Sequence, residues 1–405
     1  DSLAVDLSWL PRTDDIEPTA VPSRYKVYTR TDDGAFDSGQ VVETMTDSSG
    51  RVHAVLPMAE GHIYSFRVTA LNDGGESFPS ETLAAGIPYG KSSIDSTVLV
   101  VNNFTRTSAP VWYDTPEIAG FDSSSDPGMP YISDISYVGE MYEPRRSRQW
   151  TSDANPGFGA SFGQWSGRPS TGNSFDYVYV HGKVIFAAGY PFCSTSSETF
   201  SEYVDISPSE FIATDIICGE QVTTVSGRNG QPDRHMVFPE NLQSAIRRYT
   251  SDGGNVMISG SHIGTDIWDA MYPVRIDSSF RASSIEFAED VLGFTWVRGH
   301  ASKNCSVQFL PQRDTLGFNA GDGTFSVNTE YAKPVYRVVS PDGIAPSSDS
   351  GRIISEYTDS RIPSGISYTS PSGYRTACFG FPVEALASEE EIFRIISATL
   401  KFFRQ

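Results

Sequence analysis

Two patterns of hydrophobic placement divide the chain. Over residues 1 to about 88, apolar positions alternate with polar ones in short runs. Val5, Leu7 and Trp9 make the first run, and Tyr25, Val27 and Tyr28 the next. Val41-Val42, Val52 to Leu56, and Ile63, Phe66, Val68 and Ala70 follow. Asp33-Gly34, Ser49-Gly50, Glu60-Gly61 and Asp73-Gly74-Gly75 punctuate them as turns. Seven short strands in about 90 residues without helical periodicity predict an all-β sandwich. A short polar stretch with Pro and Gly, taken as a linker over residues 89–96, ends this module.

From Thr97 the apolar runs become continuous, the mark of strands buried on both faces in a parallel sheet. TVLVVNNF is the first. Tyr190 to Ser194, Ala213 to Cys218, Asn255 to Ser259 and Thr376 to Phe381 resemble it. Helical patterns separate or follow them. One lies within Phe175 to Ala188, and a short one runs from Glu198 to Val204. Pro239 to Thr250 puts Leu242, Ile246 and Tyr249 on one face. In Ser388 to Phe403, Ser388 caps, three glutamates favour the N-terminus, and Ile392, Ile395, Ile396, Leu400 and Phe403 form the stripe. The fold class expected is therefore multidomain: an all-β sandwich (1–88), then a doubly wound α/β parallel sheet (97–405). Two segments fall outside the alternation. Residues 105–174, rich in Gly, Pro, Ser and Asp, read as a long functional loop. Residues of about 271–370 carry β-like runs and read as a β-rich insertion, an antiparallel flap over one sheet edge.

Ligands of such sheets bind beyond the carboxyl ends of the strands. That rule selects Asn102 and Asn103, Ser194 and Thr195, Glu220 and Gln221, Ser261 and His262, and Glu384. The stretch TSDGGNVMISGSHIGTD stands out, because its strand stops at Gly260-Ser261-His262-Ile263-Gly264. This has the shape of a nucleophile elbow with His at the centre. There His262 is a candidate base or ligand, and Ser261 a candidate nucleophile or oxyanion donor. The alternative role for Ser261 is to cap the turn that follows. His181, with Asp176 five residues earlier, is a second candidate, and Asp176 is equally suited to cap a helix. Glu384 at the end of the last strand is a candidate acid, base or orienting group. Trp165, with Trp112, Tyr113, Trp150, Phe158 and Phe162, places aromatic surface on the loop. Such surface suits sugar stacking or anchors the loop to the core. Arg145, Arg146 and Arg148 form a basic run there, read as solvated surface or an anion site. Asp122, Asp126 and Asp153 lack the spacing of a calcium loop, and no metal or cofactor motif is evident.

Composition narrows the partners. Against 30 Lys and Arg stand 50 Asp and Glu, a formal charge of −20. That balance argues against nucleic acid and anionic membranes. No apolar run reaches the length of a membrane span. The four cysteines form no CxxC pair and read as buried thiols, with one disulfide left open. No signal-peptide pattern opens the chain. DSLAVDLSWLP reads as a strand already inside a fold, as in a mature or trimmed stretch of a longer protein.

Three resemblances add to this. LSWLP, RYKVYTR and YSFRVTALNDGGESFPSE resemble a fibronectin type III domain, which implies a spacer or docking role. The strand order, the turn after GGNVMISGS and the terminal GFPVE-helix look like the class I glutamine amidotransferase fold. Its nucleophilic Cys is absent from the elbow, and Phe381 stands where its His is expected, so that chemistry is not implied. Over nearly the whole length, VLVVNNFTRTSAP, DANPGFGAS, GNSFDYVYVHGKVIFAAGY, ATDIICGEQ, GGNVMISGSHIGTD and FGFPVE are similar to C-terminal regions of secreted bacterial proteins. Those proteins are labelled xanthan lyase or N-acetylmuramoyl-L-alanine amidase. That resemblance implies a secreted, periplasmic or cell-surface protein whose partner is a glycan or peptidoglycan fragment, with further domains in the parent chain. It leaves two functions open: a hydrolase or lyase acting at the crevice, or a non-catalytic carbohydrate-binding or scaffold module.

Overall fold

The computed structural model describes residues 3–13, 16–91, 96–202, 207–225, 233–269, 278–311 and 317–405. Parts of the expected linker (92–95), of the second helix (203–204) and of the insertion (271–277, 312–316) lie outside the described residues.

The N-terminal module contains eight strands: β1 (Ala4–Trp9), β2 (Arg24–Thr31), β3 (Gln40–Val41), β4 (Met45–Thr46), β5 (Val52–Pro57), β6 (His62–Asn72), β7 (Gly75–Glu76) and β8 (Leu83–Ile87). They form two antiparallel layers. One has the order β1-β5-β4, and the other runs β8-β6-β2-β3 with β7 on β6. Val27, Ala54 and Phe66 are buried between them, while Ile63, on the opposite face of β6 as period-two alternation requires, packs toward α1.

Next comes β9 (Val98–Asn102). The long loop holds only β10 (Trp112–Asp114), β11 (Ala119–Phe121), β12 (Ser133–Asp134) and β13 (Ser170–Thr171). Then follow α1 (Tyr177–Ala187), β14 (Phe192–Ser196), α2 (Ser197–Glu202), β15 (Ala213–Gly219), β16 (Thr224–Val225), β17 (Asp233–Arg234), α3 (Glu240–Ser251) and β18 (Val256–Gly260). After α4 (Thr265–Trp268), α5 (Ser278–Glu286) runs on as a π-turn over Phe287–Leu292. The insertion carries β19 (Phe294–Arg298), β20 (Ser306–Phe309), β21 (Thr324–Ser326), β22 (Gly343–Pro346), β23 (Gly351–Tyr357) and β24 (Pro363–Thr369). The chain ends with β25 (Arg375–Phe379) and α6 (Glu389–Phe403).

The five continuous apolar runs are the five parallel strands β9, β14, β15, β18 and β25. Across the sheet they stand as β14-β9-β15-β18-β25, a 2-1-3-4-5 order. Alternate residues serve opposite faces. Val98, Val100, Met257, Ala377 and Phe379 pack with α1 and α6. Leu99, Val101, Val256, Ile258 and Cys378 pack with α3 and the π-turn. With helices on both sides, β9, β15 and β18 are buried throughout, which is why no polar alternation marks them. The Ser388 hydroxyl accepts from the Glu391 N–H and caps α6 as its sequence predicts.

The sheet continues at both edges. β24 pairs antiparallel with β25, and β23, β20 and β21 follow it outward. Much of the insertion therefore widens the sheet in its own plane instead of forming the flap expected over its edge. At the other edge β14 meets β8 antiparallel at Phe192 and Gly86, and the Ser194 hydroxyl bonds both the N–H and the carbonyl of Ala84. One 14-stranded sheet thus runs through both modules. A bidentate pair between Arg30 and Asp176 (2.6 and 2.8 Å) reinforces the junction.

Close approach of α1 to β14 depends on Gly182. A Cβ there would sit 2.3 Å from the Phe192 ring. Gly182→Ala is expected to cost about 1–3 kcal/mol through overpacking. A lowered urea midpoint at unchanged m would register it.

Candidate functional site

Strand register aligns the carboxyl ends. Ser196 pairs with Asn102, Asn102 with Ile217, Gly219 with Gly260, and Ser259 with Phe379. Connections leave β9 toward β14 on one side, while β15 lies on the other, so the switch point of the sheet lies between β9 and β15. Gly219 ends β15 at φ +48°, and a Cβ there would lie 2.3 Å from the Phe104 ring. This left-handed residue turns Glu220 back toward the end of β18.

Glu220 is the hub. One carboxylate oxygen accepts from the Ser261 hydroxyl, and the other lies 3.1 Å from His262 Nε2. Ser261 thus bonds a carboxylate rather than the neighbouring imidazole, and His262 is not its base. Burial alone would depress the His262 pKa, but Glu220 overrides it and holds the imidazole above its ordinary value, with Asp342 and Asp126 adding to the pull. Ser261 is 0%, His262 2% and Glu220 2% exposed. Solvent does not reach this group.

The turn after the elbow is capped from the insertion. Asp342 accepts from the N–H groups of Gly264 (2.6 Å) and Thr265 (2.8 Å) and from the Trp296 indole (2.9 Å). Burial pushes its carboxyl up to about 6, against the opposing effects of His262 and Thr265. The expectation that Ser261 caps this turn is therefore corrected: its hydroxyl is taken by Glu220, and α4 receives no side-chain cap from its N-cap residue, Gly264. Asp266 ties the same turn to two other segments by accepting from the Val237 and Thr223 N–H groups (2.8 and 2.7 Å).

Over the switch point the long loop is clamped down. Arg106, 1% exposed, pairs with Asp126 and donates to the Glu220 carbonyl (3.1 Å). The Gln221 amide oxygen accepts from the N–H groups of Thr105 and Arg106, both at 3.0 Å. Asn103 donates to the Val237 carbonyl (2.8 Å). Gln221 and Asn103 thus fasten backbone, and neither presents a free amide to a ligand.

A second buried group lies beside the first. His181, on α1, has Nδ1 2.7 Å from Asp215 and Nε2 3.4 Å from Glu384. Tyr336 donates to the other Glu384 oxygen (2.7 Å), and its hydroxyl feels both Glu384 and Glu220. Burial would lower the His181 pKa, but Asp215 and Glu384 drive it up to about 10, so the imidazolium is held between two carboxylates. His181 and Glu384 therefore meet directly, while His262 belongs to the neighbouring network.

Three candidates lie elsewhere. Asp176 neither joins His181 nor caps α1; its carboxylate is spent on Arg30, and no side-chain cap bond forms. Asn102 turns from the crevice to donate to Glu81 of the N-terminal module. Trp165 packs on Tyr331 of the insertion, with ring centroids 4.2 Å apart. In the basic run Arg145 and Arg148 pair with Glu143, and Arg146 with Asp114. All four cysteines are free, three of them buried. Among the described residues no group of three or more His, Cys, Asp or Glu side chains is arranged to hold a metal ion, and no helix is long and apolar enough to cross a membrane.

Sequence reasoning missed Arg106, Asp126 as its partner, Asp215, Tyr336 and Asp342. A signal existed only for Asp215, the one acid inside the apolar run ATDIIC. The loop and the insertion together line a cavity of about 760 Å³ whose walls include Phe121, Tyr131, Tyr137 and Tyr331, several serines and, as the one charged group among the described residues, Asp134.

No family model matches the chain, and no curated protein does. Among solved structures it is similar to a bromine derivative of BhCBM56 at 15% identity and TM-score 0.15, over 20% of this chain and 76% of that one. It is also similar to a cycloalternan-degrading enzyme from Trueperella pyogenes at 9% identity and TM-score 0.17, over 64% of this chain and 47% of that one. Scores this low establish no shared fold.

Proposed function

We propose that this chain is a non-catalytic glycan-binding module of a secreted or cell-surface protein, and that the saccharide rests on the aromatic loop. The observation that carries this reading is a contrast between two places. At the strand ends every candidate catalytic side chain is buried and already bound to another. On the loop, aromatic rings and hydroxyls surround an open cavity of about 760 Å³, within the roughly 300–1,000 Å³ typical of ligand sites. Tyr331, contributed by the insertion, stacks with Tyr137 at 5.8 Å and meets Trp165 in a tilted contact at 4.2 Å, which stiffens the wall. With Asp134 as the only charged lining group among the described residues, the chemistry suits a neutral sugar. The 2-1-3-4-5 strand order supports an amidotransferase-like reading of the α/β unit, with glutamine hydrolysis left out for lack of the thiol. Titration calorimetry against a panel of neutral and acidic oligosaccharides tests the proposal. Tyr331→Ala is expected to weaken the best ligand about tenfold, through lost ring contact. Unchanged affinity would overturn it.

One observation favours a second reading, a hydrolase. Glu220 accepts from the Ser261 hydroxyl and is itself bonded to His262, so in this reading Glu220 is the base and His262 orients it. That reading needs the loop to lift. Polysaccharide and muropeptide turnover, measured with Ser261→Ala and His262→Ala, decides between the two. Turnover abolished by both substitutions supports the hydrolase, and no turnover in the parent chain removes it.

A further inference from the structure

A cavity of about 630 Å³ lies where the N-terminal module meets β14 and α2. Its walls combine three kinds of group. Trp9 and Tyr25 form an edge-to-face aromatic pair, centroids 5.0 Å apart. The Trp9 indole N–H is buried and has no acceptor among the described residues. Glu81 presents a carboxyl that accepts one hydrogen bond, from Asn102 to Oε2.

We propose that this inter-module groove is a saccharide site selective for a sugar bearing a primary ammonium group, which pairs with Glu81. The glycan reading above is needed only for the sugar body of the ligand, whereas recognition of the ammonium rests on the groove itself. The aromatic pair offers a face to a sugar ring. The Trp9 N–H requires an acceptor, which a ring hydroxyl supplies. Glu81 offers a carboxyl whose one hydrogen bond comes from Asn102, and an ammonium would pair with it. The other titratable or charged groups around the groove are Asp6, Arg12, Tyr25, Cys193, Glu198 and Glu202. Asp6 is occupied by His53, and Arg12, the one cation, by Glu198 at the rim. Burial pushes the Cys193 thiol up to about 12, so it carries no charge. Burial likewise raises Glu81 to about 7, only partly opposed by Asn102. An arriving ammonium favours the carboxylate, so binding below neutrality releases the Glu81 proton.

The test uses three disaccharides of one shape: the β-1,4-linked glucosamine dimer, its N,N′-diacetylated form and cellobiose. Calorimetry on the full chain just below pH 7, in two buffers of different ionisation enthalpy, measures affinity and proton release. The glucosamine dimer is expected to bind about tenfold or more tightly than the other two, as a charge-assisted bond to a partly buried carboxyl implies. It is also expected to release a proton. Glu81→Gln keeps an acceptor for Asn102, and it should abolish both the preference and the release. Trp9→Phe should weaken all three ligands alike. Equal affinities, or a preference that survives Glu81→Gln in a chain with unchanged melting, would overturn the proposal. Repeating the series on Tyr331→Ala separates the two sites. Ligands lost there but indifferent to Glu81→Gln support the loop site and sink the groove. An amine preference that persists there keeps the groove even if the loop reading fails.

Discussion

Arg106→Met is expected to destabilise the protein by about 3–5 kcal/mol, because it leaves a buried carboxylate without its cation. Asp126 is 5% exposed, and its pKa is lowered: burial alone would raise it, but the Arg106 guanidinium and the His262 imidazole more than compensate. With Arg106 gone, the Gly128 N–H remains as a hydrogen-bond donor to that carboxylate (2.9 Å). The guanidinium also donates to the Glu220 carbonyl, so its loss loosens the loop where it meets the end of β15. Two measurements check this. Urea unfolding should give the stability loss, and hydrogen exchange should show residues 105–130 losing protection ahead of β9 and β15. Asp126→Asn in the Arg106→Met background should cost less than the two single changes added, since the stranded charge is then removed. Strict additivity would mean the pair does not hold the loop down.

This clamp also shows what could be read from the chain and what could not. The central strands β9, β15 and β18 were legible because burial on both faces demands unbroken apolar runs, and TVLVVNNF or NVMIS leave no other period. The strand-end rule then brought Glu220, Ser261, His262 and Glu384 to one end of the sheet, where the structure places them. Their partners were hidden. Arg106 and Asp126 sit in a loop with no repeating pattern, and Tyr336 and Asp342 arrive from an insertion more than 70 residues from the elbow, as Asp342 on Gly264 shows. Such contacts depend on chain paths that periodicity does not encode. Asn102 and Asp176 illustrate a different failure. Both stand beside the crevice elements in sequence, yet both turn to the N-terminal module. The fusion of β8 to β14 places Glu81 and Arg30 within their reach, and an assumption of separate modules conceals that.

His181 yields the second large effect, and its sign follows from the direction of its shift. In the folded chain Asp215 and Glu384 hold its pKa up at about 10, despite complete burial. An unfolded histidine titrates near 6.5. A group raised on folding contributes its full stabilisation below the unfolded value and loses it as pH climbs through the folded one. Stability of the parent protein is therefore expected to fall between about pH 6.5 and 10, by up to roughly 4–5 kcal/mol for this group. His181→Gln keeps a polar side chain of similar reach but cannot carry the charge. It should cost about 3–5 kcal/mol near pH 6, where two buried carboxylates lose their shared cation. The gap between the two proteins should narrow steadily toward pH 10, where the parent imidazole is half neutral. Urea unfolding of both at several pH values gives the two curves. Parallel curves across that range would show that His181 is neutral in the folded chain. The Asp215–His181–Glu384 arrangement would then be an ordinary hydrogen-bonded relay that runs on to the Tyr336 hydroxyl.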